Sequence, residues 1–463
     1  MNSRIILLYL IAILTATLVS AQNNVKIEIE QMPERWMQEG MFEQTSPIED
    51  NWWRRFNDPQ LDSLINLAVE RNYSVISAIE NMRIAKAVWK ETRAGLLPSL
   101  DLNIGWQRTK TSGNSPTSGY REEWEGYYNT AAEFSWEIDV FGKIYKKSLS
   151  QKELYLASEE EYRAVMISLC ANVAITYFSI KQSIARLTVL QQNAVSQNEI
   201  KNLVEARYNS GLASKLDLAQ ARSVYYSTIA SIPQMESTIE NYRNTLAVLL
   251  ATYPSRLQQW HTDGNLPEYI DPVAVGLPAM LLLRRPDVRS AEREIEAYAL
   301  QLGASKREWL PSFYINGSIG FSSENIEKLP RSNSMQWQVA PSLSWNIFDG
   351  GSTGNATKQA QARLDKSIAD FNSTLLKAIQ EVENAMSEYK NSIKQIVALA
   401  EAVNYSRETL QLSLDLYKQG LTQFQNVLDS QRTLLNYQEY LVQAQGNSLI
   451  TLVQLYEALG GGW

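Results

Sequence analysis

The chain has 463 residues, of which 44% are hydrophobic and 20% charged, with a formal net charge of −7. That acidic balance argues against nucleic acid as a partner, because a phosphate footprint needs clustered Lys and Arg. One Cys and one His exclude an intrachain disulfide and an ordinary zinc site, so Cys170, in a strongly helical stretch, reads as a small core residue and His261 as part of a polar connector.

Arg4, the apolar stretch Ile5 to Val19 and the small residues Ser20 and Ala21 have the three-part form of a secretory signal, with cleavage expected after Ala21. This reads as the only long apolar run in the chain, and it is shorter than the ~20 residues of a spanning helix. Any span in the mature chain is therefore expected to be β. Gln22 follows the cut where a lipidated chain needs Cys.

Asp58 is placed to N-cap a helix with Pro59 at N1, running through Leu61, Leu64 and Ala68 to about Leu96 before Pro98. Asp287 after Pro286 is expected to do the same in a second helix. From Lys143 to about Arg207, Tyr162, Met166, Leu169, Val173, Tyr177, Ile180, Ile184 and Leu187 recur at helical spacing. A helix of about 64 residues rises about 95 Å, too long for the inside of a globule. A stretch of similar length, from about Thr353 to Tyr417, carries Leu364, Ile368, Phe371, Leu375, Ile379, Val382 and Met386 on one stripe. Shorter helices over about 58–96 and 214–252 reach a comparable length if stacked end to end.

Landmarks recur at fixed spacing. Ser135-Trp136 and Ser344-Trp345 stand 209 residues apart, as do Tyr208 and Tyr417, and Gly211 and Gly420. Leu97-Pro98-Ser99 and Leu310-Pro311-Ser312 stand 213 apart. The chain reads as two copies of helix, strand pair, very long helix, tight turn and helix.

Four segments alternate with period two. Leu100, Leu102, Ile104 and Trp106 oppose Asp101, Asn103, Gly105 and Gln107. Tyr128 to Ile138, Phe313 to Phe321 and Met335 to Ile347 follow the same rule. Trp106, Trp124, Trp136, Trp337 and Trp345 are placed as aromatic belts at a membrane interface. Four strands are too few to close a barrel, and an open edge in lipid leaves backbone groups unsatisfied. Two copies give eight strands and a filled interior; three give twelve and a lumen, which the polar inner face favours. Loops 111–123 and 323–334 are expected to lie outside the cell.

Trp52-Trp53 with Phe56, Asp58-Pro59 and Leu61; Gly276-Leu277-Pro278 with Leu282 and Arg284-Arg285-Pro286-Asp287-Val288; Gly303-Ala304 before Leu310-Pro311-Ser312; and Ala458-Leu459-Gly460-Gly461-Gly462-Trp463 resemble the TolC-like outer-membrane factors, within them the OprM and NodT-like branch. The resemblance runs from about Trp52 to the last residue. It implies an α+β membrane protein: a homotrimeric twelve-stranded β-barrel, four strands per protomer, continuous with a long periplasmic α-helical barrel. It also implies a periplasmic adaptor and an inner-membrane pump of the resistance-nodulation-division (RND) type as partners. Many members of the branch begin with a lipidated Cys; here membrane attachment rests on the barrel alone. On this reading 1–21 is the signal peptide, 22–57 an extended equatorial segment, 58–252 and 287–459 the two repeats, 253–286 an equatorial connector and 460–463 a tail.

The turns Tyr208-Asn209-Ser210-Gly211 and Tyr417-Lys418-Gln419-Gly420 are expected at the periplasmic tip, where Gly supplies the left-handed conformation of a reversal. By resemblance, Asn426 and Asp429 ring the narrowest point of the pore, and Asp217 bonds to Tyr417 as a lock. Thr422 stands where some members carry an Arg that tightens that lock. No nucleotide-binding loop, catalytic constellation, metal set or cofactor motif is visible, so the expected function is a passive exit duct and not an enzyme. The alternatives are a duct for type I protein secretion or heavy-metal export and, in another class, a pore-free periplasmic coiled-coil scaffold.

Overall fold

The computed structural model describes residues 33–38, 42–43, 51–110, 124–258, 260–267 and 273–461. The signal region 1–21, the loop 111–123 and the last two residues of the tail lie outside the described residues.

Helix α1 (Pro59–Arg71) starts as expected, with the Asp58 side chain accepting from the backbone N–H of Gln60 and Leu61. It does not continue to residue 96. Asn72 is extended (φ −63°, ψ 129°) and separates α1 from α2 (Tyr73–Ala94). The break has a local cause: Asn72 Oδ1 accepts from Ser74 N at 2.7 Å, capping α2, while Nδ2 donates to Leu249 O at 2.8 Å. An amide has both an acceptor and two donors, so one side chain ends one helix, starts another and ties it to a third.

Strands β1 (Ser99–Lys110) and β2 (Trp124–Ile138) precede α3 (Lys143–Asn209), which has 67 residues and so rises about 100 Å. It opens after Gly142 at φ 71°, a left-handed turn that favours glycine. α4 (Lys215–Leu249) runs back along it. After a connector and one helical turn, Leu281–Arg284, come α5 (Pro286–Arg307), β3 (Ser312–Ser323), β4 (Met335–Ser344), α6 (Ser352–Lys418, again 67 residues) and α7 (Phe424–Ala458).

Asp287 is not the cap of α5. Arg285 holds that position, extended, with Pro286 at N1, and Asp287 in the first turn accepts from Arg285 Nε at 3.0 Å and Nη2 at 2.7 Å. Arg285 Nη1 donates to Ala458 O at 2.8 Å, so in the second half an arginine makes the helix-to-helix tie that Asn72 makes in the first.

The sheet order is β1-β2-β3-β4, antiparallel throughout, with β1 and β4 as edges. Its register places the alternating apolar residues on one face: Leu100 is opposite Phe134, which is opposite Gly317, which is opposite Val339. Asp101, Glu133, Ser318 and Gln338 line up on the other. The fourth strand ends at Ser344 and not at Ile347. Gly320 meets β2 so closely that an added Cβ would lie 2.0 Å from Thr130 O.

Two apolar cores hold the helices. The larger joins Trp52, Trp53 and Phe56 to the middle of α3, the end of α7 and α6, with Trp52 stacked on Tyr456 at 5.3 Å. Cys170 is buried in it, and burial pushes its thiol pKa up to about 12. The second core, with Val204, Tyr417, Phe424 and Val427, lies near the turns joining the long helices to the shorter ones. The N-terminal run is not the only long apolar one: α3 contains a stretch apolar enough to cross a membrane, but most of it is buried against the chain's own helices, which identifies it as core. Gly460 and Gly461 take positive φ, and Cβ atoms there would press on the backbone of Arg284 and on Ile167. This packing explains why two glycines end the chain's last helix and an Arg-Arg-Pro turn receives them.

Candidate functional site

The apolar face of the sheet is open to its surroundings. Ile104 is 76% exposed, Leu100 74% and Trp337 71%, and Leu102, Val339 and Leu343 are exposed beside them. A contiguous apolar patch of this kind on a protein marks an interaction surface, and strands of 10 to 15 residues match what a tilted membrane strand needs.

Across the sheet register the tryptophans are staggered, with Trp337 in line with Ala132, four residues from the levels of both Tyr128 and Trp136, but within its own strand each stands nearer one end. Trp106 is opposite Tyr128, Trp124 opposite Lys110 and Trp337 opposite Ile319, all toward the loop end; the side chain of Trp124 lies outside the described residues. Trp136, opposite Ile315, and Trp345 lie at the helix end. There each indole N–H is used: Trp136 Nε1 donates to Leu96 O at 3.0 Å and Trp345 Nε1 to Trp309 O at 3.1 Å. The strand ends are thereby tied to the ends of α2 and α5.

At the other end of the molecule, Gly211 and Gly420 have φ of 76° and 77° and reverse α3 into α4 and α6 into α7. Tyr208 is exposed, whereas its counterpart Tyr417 is buried against Phe424, with ring centroids 5.2 Å apart. Asn426 and Asp429 are exposed on the side of α7 opposite Val427 and Leu428. Asp429 accepts from Gln425 Nε2 at 3.0 Å, and Asn426 Nδ2 donates to Thr422 Oγ1 at 2.7 Å. Thr422 therefore serves to orient the Asn426 side chain.

The Asp217 carboxylate accepts from Ser214 N, and Ser214 Oγ accepts from Asp217 N, both at 3.1 Å. This reciprocal capping box starts α4; Gln423 at the start of α7 makes no side-chain cap. The expected bond between Asp217 and Tyr417 is not formed, and the buried Tyr417 hydroxyl makes no hydrogen bond of good geometry. Arg207 is not among the expected tip residues, yet it lies with its guanidinium 4.9 Å from the Tyr417 ring centre and donates to Lys418 O at 2.8 Å. A basic residue in the last turn of a long helix was the available signal. Burial, and then the negative charge of Asp217, raise the Tyr417 pKa above its ordinary 10, with Arg207 opposing.

The family profile described as outer membrane efflux protein matches the chain twice, over residues 64–252 and 277–461. The chain belongs to the outer membrane efflux protein family. Curated members similar to it include the solvent efflux pump outer membrane protein SrpC of Pseudomonas putida, 32% identical over 413 residues (88% of this chain, 86% of SrpC). The outer membrane protein OprJ of Pseudomonas aeruginosa is 28% identical over 437 residues (90% and 91%). Among solved structures, the outer-membrane channel OprN superposes with a TM-score of 0.89 at 27% identity, covering 94% of this chain and 98% of that one. For an efflux protein of this family, the apolar sheet and the long helices are the two parts of a channel subunit.

Proposed function

We propose that this efflux protein is the outer-membrane exit duct of a tripartite system, working as a homotrimer with a periplasmic adaptor and an inner-membrane RND-type pump, and moving small organic molecules passively. The observation that carries the reading is the sheet: four strands with one lipid-compatible face and two unpaired edges, which in a bilayer require neighbouring copies to satisfy their backbone groups. Three copies supply twelve strands around a lumen lined by the polar face, below which the 67-residue helices extend into the periplasm. Trp106, Trp124 and Trp337 form the outer belt and Trp136 and Trp345 the inner one. At the tip, Asn426 and Asp429 line the constriction, and Asp217 and Tyr417 approach one another in the closed state. The names of SrpC and its relative the toluene efflux pump outer membrane protein TtgI favour apolar organic cargo over protein or metal.

The test is reconstitution. The purified chain should migrate as a heat-modifiable trimer and conduct ions in planar bilayers, and its loss from cells should raise sensitivity to organic solvents, reversed by the full chain. A soluble monomer that leaves bilayers sealed would defeat the reading.

A further inference from the structure

The chain closes one seam between its own halves and leaves a second of the same form open. Inside the chain, β2 pairs with β3 and α3 packs on α5. Among the described residues, no strand pairs with the outer edge of β4 or of β1 and no helix packs on the outer flank of α6 or of α2; farther along α6, Met37 N donates to Glu383 Oε1 at 2.7 Å and Phe42 lies against Tyr389. The open edges and flanks are the corresponding surfaces of the opposite halves. The correspondence is numerical: the β3–β4 register is the β1–β2 register displaced by 213 residues on one strand and 209 on the other, so that Ser99 opposite Ser135 becomes Ser312 opposite Ser344.

The same displacements applied to the β2–β3 register specify how the open edges meet. Phe134 opposite Gly317 becomes Leu343 opposite Ile104, and Trp136 opposite Ile315 becomes Trp345 opposite Leu102, so apolar residues again share a face. Ser135 opposite Asn316 becomes Ser344 opposite Asn103, which repeats the residue types as well as the positions. In the closed seam Ser135 Oγ donates to Asn316 Oδ1 at 2.9 Å.

The helices below carry a contrast. Ion pairs cross the in-chain seam, the three shortest being Glu160 with Arg289 at 2.7 Å, Glu153 with Arg293 at 3.1 Å and Lys147 with Glu308 at 2.7 Å. Their images are Ala369 with Ile76, Ala362 with Glu80, and Ala356 with Gly95, all exposed in the single chain. No rung keeps two charges.

Resting on the trimeric reading above, we infer that a second copy seats its β1 against β4 with the partner subunit's Asn103 opposite Ser344, and that the helical seam beneath is built from small and apolar contacts where the in-chain seam is ionic. Small residues let helices approach closely, and of these rungs only Glu80, paired within its own helix to Arg83 at 2.6 Å, brings a charge to be desolvated when a partner docks.

Cysteine pairs test the register, because opposite residues of an antiparallel pair lie about 4.5–5.5 Å apart at Cα, inside the range a disulfide spans. In the full chain with Cys170→Ala, Asn103→Cys together with Ser344→Cys should oxidise to covalent dimers and trimers that reductant dissolves. Either single variant should assemble without cross-linking. Asp101→Cys or Gly105→Cys with Ser344→Cys, two positions away on the same face, should cross-link about tenfold more slowly. A faster shifted pair would overturn the register. A trimer on native gels with no pair cross-linked would overturn the seam and leave the duct intact; the absence of any trimer would overturn both. Independently, the detergent-solubilised trimer should keep its size up to about 1 M salt, where exposed ion pairs are screened; dissociation with salt would overturn the helical half of the inference.

Discussion

Asn72 donates from Nδ2 to the carbonyl of Leu249 at 2.8 Å, and 213 residues later Arg285 donates from Nη1 to Ala458 O at the same distance. Each tie joins the first residue outside one helix to the last turn of another, turning two short helices into one column beside a 67-residue helix. Helix C-termini leave carbonyls unsatisfied, and here a side chain from the next element takes one of them.

Asn72→Ala removes both the cap of α2 and the donor to Leu249, and should lower stability by about 1–2 kcal/mol. Asn72→Ser keeps a cap and loses only the donor, so it should recover about half of that loss. Thermal dissociation of the detergent-solubilised protein, read by gel migration, ranks the three chains; equal behaviour of all three would remove the joint from the account.

The equatorial ion cluster makes the fold sensitive to acid. Asp58 accepts from Tyr177 at 2.6 Å and from Lys181 at 3.1 Å. Burial raises its pKa, but the Tyr177 and Lys181 hydrogen bonds and the Lys181 charge outweigh burial and hold it below the ordinary 3.8. A carboxyl lowered by folding adds stability that is present above its unfolded value and is lost as pH falls through the folded one. Denaturant midpoints should therefore drop below about pH 4. Lys181→Met leaves the buried carboxylate unpaired, so it should cost about 3 kcal/mol near neutrality and flatten the acid limb. An unchanged limb would place the acid sensitivity elsewhere.

Replacing Asn426 and Asp429 together by Ala should raise single-channel conductance in planar bilayers and weaken cation preference, because a ring of carboxylates concentrates cations. Unchanged conductance and selectivity would remove these residues from the constriction and leave the fold untouched.

Arg207→Ala removes the guanidinium from the Tyr417 ring and the bond to Lys418 O, contacts worth about 1–2 kcal/mol together. Open probability in the same bilayers should rise. Arg207→Lys, which keeps the charge without the planar fork, should fall between.

Much of this was legible in the residues. The two long helices could be read because Met166, Leu169, Val173 and Ile180 all turn inward at spacings that only a helix satisfies. The common face of the sheet followed from alternation, since a slip of one residue would move Leu100, Phe134 and Leu343 to the polar side. The break at Asn72 was only half legible: the cap on Ser74 N is local, but the Leu249 carbonyl that takes its Nδ2 is far away in sequence. The role of Arg207 is hidden for the same reason: its partner Tyr417 sits 210 positions away. At the tip, Asp217 carries both an N3 capping pattern with Ser214 and the expected contact with Tyr417. A sequence cannot rank a local bond against a distant one, and here the local one is made.

The C-terminal glycines carry a consequence for biogenesis. Gly460 and Gly461 wedge against Arg284 and Ile167, so the equatorial core of this efflux protein cannot be finished until the segment that follows α7 has been translated. A polypeptide emerging from the ribosome remains unlatched until then, which is the condition a precursor must keep to be threaded through a secretion pore before it folds.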